Sequence, residues 1–92
     1  MTIETAGGVV YINRRPLSPQ DAGAVVHAIR HRDLLVDADG RTCHVVPFHG
    51  GAIEVAGETV PADEVDALLR RLVAAVSYAS EGAVWSLHEV RT

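Results

Sequence analysis

Residues 50–73, GGAIEVAGETVPADEVDALLRRLV, hold two kinds of periodicity in one continuous run. The stretch IEVAGETV alternates apolar and polar residues on either side of Ala56-Gly57, and glycine supplies the positive φ of a tight turn, so residues 53–60 predict a β-hairpin. Beyond Pro61, Asp63 and Glu64 suit the positive end of a helix dipole. Val65, Leu68, Leu69, Leu72, Val73 and Val76 then recur at i, i+3, i+4 and i+7, the spacing of one buried helical stripe.

Residues 7–30, GGVVYINRRPLSPQDAGAVVHAIR, repeat this pattern at a constant shift of 43 without a gap. Val10 meets Ile53, Ile12 meets Val55, Leu17 meets Val60, Ala22 meets Val65, and Ile29 meets Leu72, although Gly7/Gly50, Gly8/Gly51 and Ala24/Ala67 are the only identities. The pattern predicts two tandem hairpin-helix-strand units, approximately 7–49 and 50–92, within a single domain spanning 1–92. In the first unit Asn13 suits the turn, and Pro16 restricts the second strand to an edge or a short extended piece. Ser18-Pro19-Gln20-Asp21 supplies a capping hydroxyl, a proline at the first helical position and an acid in the first turn.

Each predicted helix is followed by more strand signal. LLVDADGRTCHVVPF predicts a hairpin around Asp39-Gly40, and Gly82 is expected to end the second helix and release AVWSLHEVR as a strand. The resulting fold is α+β: a two-layer sandwich with an antiparallel sheet and two helices on one face, with ferredoxin-like as its nearest description.

The 48% hydrophobic and 22% charged content is that of an ordinary globular chain, and no apolar run approaches the length of a bilayer span. MTIETAGG lacks the basic and apolar segments of a signal peptide, and a lone cysteine cannot close an internal disulfide, so a cytoplasmic setting without membrane partners is expected. All basic residues are arginine, a bias of GC-rich bacterial genomes or their phages. Charge is uneven: residues 1–46 are neutral and residues 47–92 carry −4. Only Arg14, Arg15, Arg30, Arg32 and Arg41 are available to neutralise phosphates, which ranks nucleic-acid binding third among the functional readings.

Candidate chemistry concentrates in TCHVVPFHGG, residues 42–51. Strand alternation sends Cys43 and Val45 one way and His44, Val46 and Phe48 the other, so Cys43 and His44 form no dyad, and Cys43 is expected to pack toward the helices. His27 and His31 stand four apart on the first helix but lack a positioned third ligand, so neither metal nor cofactor is expected. Both GG pairs precede a hairpin rather than linking a strand to a helix, and so form no phosphate loop. Asp37, Asp39, Glu54 and Glu58 lie near turns, where solvated carboxylates are commonplace. No residue is assigned a catalytic role.

SPQDAGAVVHAIR and PADEVDALLRRLVAAV resemble the Ser/Thr-Pro-acid, Ala/Leu-rich helix that follows a short hairpin in small uncharacterised proteins of actinobacteria and their phages. The resemblance covers about half the chain and implies no activity. Two helices cover one sheet face, leaving Val9, Tyr11, Leu35, Val46, Phe48, Val84 and Val90 on the other, interspersed with His44 and His88. Such a patch marks an interface or ligand surface. The leading expectation is a non-enzymatic intracellular binding or regulatory module, homodimeric through Tyr11, His44, Val46, Phe48, Val84, His88 and Val90, with a further protein partner also compatible. The alternative is a dimeric α+β-barrel enzyme or small-ligand binder with a cavity at that face.

Overall fold

The computed structural model describes residues 1–91, with side chains through Glu81. Among the described residues, the chain runs through β1 (Ile3–Ala6), β2 (Val9–Ile12), β3 (Arg15–Leu17), α1 (Pro19–His31), β4 (Leu35–Val36), β5 (Cys43–Pro47), β6 (Ile53–Val55), β7 (Glu58–Val60) and α2 (Val65–Arg91). Short 3-10 turns occupy His49–Gly51 and Ala62–Glu64.

The protein is α+β with two helices, and its strands form two antiparallel sheets, β1-β2-β3 and β4-β5-β6-β7, instead of the single sheet expected. Chain neighbours are sheet neighbours throughout, and the element order is βββαββββα, with a third strand before α1 and none after α2. Pro16 supplies a physical reason for the first sheet to stop at β3. Ile12 and Arg15 flank a two-residue turn as partners, and the next pair is Tyr11 with Pro16. Alternation along an antiparallel ladder then turns the Pro16 nitrogen toward the free edge, where proline has no hydrogen to donate to another strand.

Hairpins form at both expected turns. Val10 lies opposite Leu17, and 43 positions later Ile53 lies opposite Val60. Each turn places two residues at positive φ, Asn13 (50°) and Arg14 (68°) in one, Ala56 (51°) and Gly57 (81°) in the other, the signature of a type I′ turn. Helix α1 starts where Ser18 Oγ accepts the Asp21 N–H at 3.1 Å. It ends with Arg32 in the left-handed region and the Asp33 N–H bonded to the Ala28 carbonyl at 2.9 Å, a Schellman closure without glycine.

The core joins both sheets to both helices. Val10, Ile12, Val45, Ile53 and Val55 project from the strands onto Val25 and Ile29 of α1 and Val65, Leu68 and Leu72 of α2, all of them buried. Packing is crossed: α1 follows the first sheet yet lies on β5 and β4 as well as β2 and β3, whereas α2 follows the second sheet and lies on β1 and β2. The helices also pack on each other.

Two local expectations are corrected. Residues 83–91 are helical, not a strand, because α2 continues through Gly82. An interior glycine costs a helix only about 1 kcal/mol relative to alanine, and no proline follows to enforce a stop. Cys43 is exposed rather than packed toward the helices. It pairs with Val36 beyond a register irregularity at the end of the β4–β5 ladder, while Val45, two residues on, is fully buried opposite Val55. Among the described residues, no helix is long and apolar enough to cross a membrane.

Candidate functional site

The free edges of the two sheets flank a cleft. Leu17 at the end of β3, Asp21 and Val25 on the first turns of α1, Leu35 on β4 and His44 on β5 surround an open space of about 560 Å³. A second space of about 300 Å³ adjoins it, bounded by Ile12, Arg15, Pro16, Thr42, Cys43 and Val55. The two share Leu17, Val25, Asp37 and His44, so they are lobes of one cleft with a common apolar wall and a common polar pair.

That polar pair is built by the β4–β5 hairpin. The Asp37 N–H bonds the Thr42 carbonyl at 2.9 Å and the Gly40 N–H bonds the Asp37 carbonyl at 2.8 Å, which closes the turn and aims the Asp37 side chain along the hairpin. His44 Nε2 donates to Asp37 Oδ1. An ionised carboxylate only accepts, so the bond fixes the proton of a neutral His44 on Nε2 and leaves Nδ1 as an acceptor. The hydrogen bond from His44, followed by one from the Thr42 side chain, lowers the Asp37 carboxyl from its ordinary value. A carboxylate lowered in the folded state contributes stability above its unfolded value, near 3.8, and loses that contribution as pH falls through its folded value.

Glu58 is the centre of a second polar cluster. Its Oε1 lies 3.3 Å from the Met1 amine, and its Oε2 accepts from Asn13 Nδ2 at 3.3 Å. Asn13 Oδ1 in turn accepts the Thr2 N–H at 2.9 Å. Hydrogen bonds from Asn13 and the chain's amine lower the Glu58 carboxyl. The cluster ties the two hairpins and the first strand together, a structural role that consumes its polar groups.

The residues expected to share one surface are distributed over several. Tyr11 is half-buried on β2 opposite Glu4 and Pro16, and it lines neither lobe of the His44 cleft. Val46 is half-buried on β5 opposite Glu54, which faces Thr59 in turn, so this row of the second sheet is mostly polar. Phe48 follows β5 and is 44% exposed. Leu35 packs against the core. The side chains of Val84, His88 and Val90 lie outside the described residues.

His27 and His31 are exposed on α1 with ring centroids 4.3 Å apart. Among the described residues, no group of three or more His, Cys, Asp or Glu is placed to hold a metal ion. Arg14 and Arg15 precede the N-terminus of α1 whereas Arg30 and Arg32 lie at its C-terminal end, with a 13-residue helix, about 20 Å long, between the pairs. Asp37 is the residue that the sequence reading passed over as a turn acid. Its signal was the hairpin itself: centring the turn on Asp39-Gly40 places Asp37 across from Thr42 and diagonal to His44.

Comparison with protein-family models, with curated proteins and with solved structures finds no match to this chain.

Proposed function

We propose that the protein is a small non-enzymatic binding module whose ligand site is the two-lobed cleft between β3, α1 and the β4–β5 hairpin. The observation that carries this reading is the concave apolar wall of Leu17 and Val25 with one oriented polar pair, Asp37 and His44, set into it. Binding sites of small ligands have this composition: apolar surface supplies affinity and a few positioned polar groups fix orientation. An oriented polar pair set into an apolar wall supports binding directly, and binding is the role we assign to it. We read the two hairpins, with their shared register and turn geometry 43 positions apart, as a tandem repeat, and the exposed single thiol fits a reducing, cytoplasmic setting.

The test is a titration of ¹⁵N-labelled protein with a small-fragment library. Ligands should shift the amides of Leu17, Val25 and His44 as a group, and hits that consistently shift other surfaces instead would remove the cleft as the site.

A homodimer is a second reading, favoured by Phe48 standing 44% exposed just past the end of β5. A two-fold contact there places two copies of Phe48 in one interface, so Phe48→Glu should convert dimer to folded monomer in sedimentation. A wild-type monomer at micromolar concentration would exclude it.

A further inference from the structure

The two lobes of the cleft differ in charge: three carboxylates line the larger, and one arginine with the shared Asp37 lines the smaller. Asp21 and Asp39 line the larger lobe, where Asp39 faces Arg41 only across 3.8 Å between exposed groups. Arg15 lines the smaller lobe. The shared pair, Asp37 with His44, is already satisfied internally. Among the described residues, neither the Asp21 carboxylate nor the Arg15 guanidinium takes part in an ion pair. A free carboxylate and a free guanidinium therefore look into one continuous cleft from different lobes, with the apolar Leu17 and Val25 common to both.

We propose that the cleft binds a small zwitterion, its ammonium in the lobe of Asp21 and Asp39, its carboxylate in the lobe of Arg15, and an aliphatic segment between them on Leu17 and Val25. The inference rests on the cleft being the ligand site and adds the chemical class. A ligand bearing only one charge satisfies one lobe and leaves the other to water, whereas the zwitterion satisfies both and covers the apolar wall. Arginine suits the carboxylate because its planar fork donates two parallel hydrogen bonds. Asp21 adds a negative charge where the ammonium is placed, and Asp37 and His44 line both ends. The same pair of charges occurs on a free ω-amino acid and on the C-terminal lysine of a peptide.

The experiment compares 6-aminohexanoate, hexylamine and hexanoate by ¹⁵N-monitored titration, with an N-acetylated tripeptide ending in lysine as a fourth probe. Wild type should bind 6-aminohexanoate up to about fivefold more tightly than either singly charged analogue, since an exposed ion pair contributes up to about a factor of five. Arg15→Gln should erase the preference over hexylamine and keep the preference over hexanoate, and Asp21→Asn should do the reverse. Both side chains are exposed, so the fold serves as its own control through unchanged spectra elsewhere. Preference for the peptide over 6-aminohexanoate assigns the charge pair to a peptide terminus, and the opposite preference assigns it to a free small molecule. Equal affinity for all four probes, or a zwitterion preference that survives both substitutions, overturns the proposal. Absence of binding by 6-aminohexanoate and the peptide overturns it as well. The cleft reading would outlive either result if neutral fragments still shift Leu17, Val25 and His44.

Discussion

Position 56 sits in the first left-handed site of its turn, with φ 51°, and carries alanine, although asparagine tolerates that region better. The other turn has the complementary weakness: Asn13 occupies the first site, and Arg14 occupies the second at φ 68°, where the later turn has Gly57. Each hairpin thus holds half of the preferred Asn-Gly pair. Ala56→Asn and Arg14→Gly should each stabilise the fold by about 0.5–1 kcal/mol, a rise of about 2–6 °C in Tm for a domain of this size. Thermal unfolding followed by circular dichroism checks this, and a fall in Tm for both variants would contradict the turn assignment. Sequence reading reached Gly57 and Asn13 because their residue types advertise positive φ, but Arg14 and Arg32 carry no such signal. His44 was recognised as a candidate, whereas its orientation depended on Asp37, whose role is visible only once the hairpin register is fixed.

At the scale of elements, starts were more legible than stops. Ser18 and Pro19 mark the beginning of α1 through local hydrogen-bonding chemistry, and the capping bond forms as those residue types require. The stop of α1 rests on a left-handed arginine, and the expected stop of α2 rested on a glycine that the helix runs through. Glycine is permissive rather than directive: it allows a helix to end but does not end it. The two accounts of Gly82 give opposite signs for one substitution. In a continuous helix Gly82→Ala should increase stability by about 1 kcal/mol and leave or raise the helical signal. At a left-handed terminus the same change would strain the backbone and lower stability. Circular dichroism with thermal unfolding reads both quantities, and a destabilised, less helical variant would restore the strand expectation for residues 83–91.

Across the whole molecule, the repeated pattern in the sequence located the hairpins and the apolar stripes but not the way the units combine. A shared pattern specifies which side chain faces a core, whereas the number of sheets depends on whether edges can be laddered together, and Pro16 withholds a donor from one such edge. Crossed packing then joins the two sheets through the helices. α1 lies on β4 and β5 and α2 on β1 and β2, so each sheet loses part of its apolar cover if the helix of the other half detaches. Ile29 on α1 and Leu72 on α2 are both fully buried within this common core. Ile29→Ala and Leu72→Ala should each cost about 2–5 kcal/mol, a large share of the total stability of a small domain. If the core is one cooperative unit, either variant accelerates amide hydrogen exchange in both sheets, including strands remote from the substituted helix. Acceleration confined to β1–β3 in one variant and to β5–β7 in the other would instead show two independently held halves, and the crossed arrangement would then contribute contact without coupling.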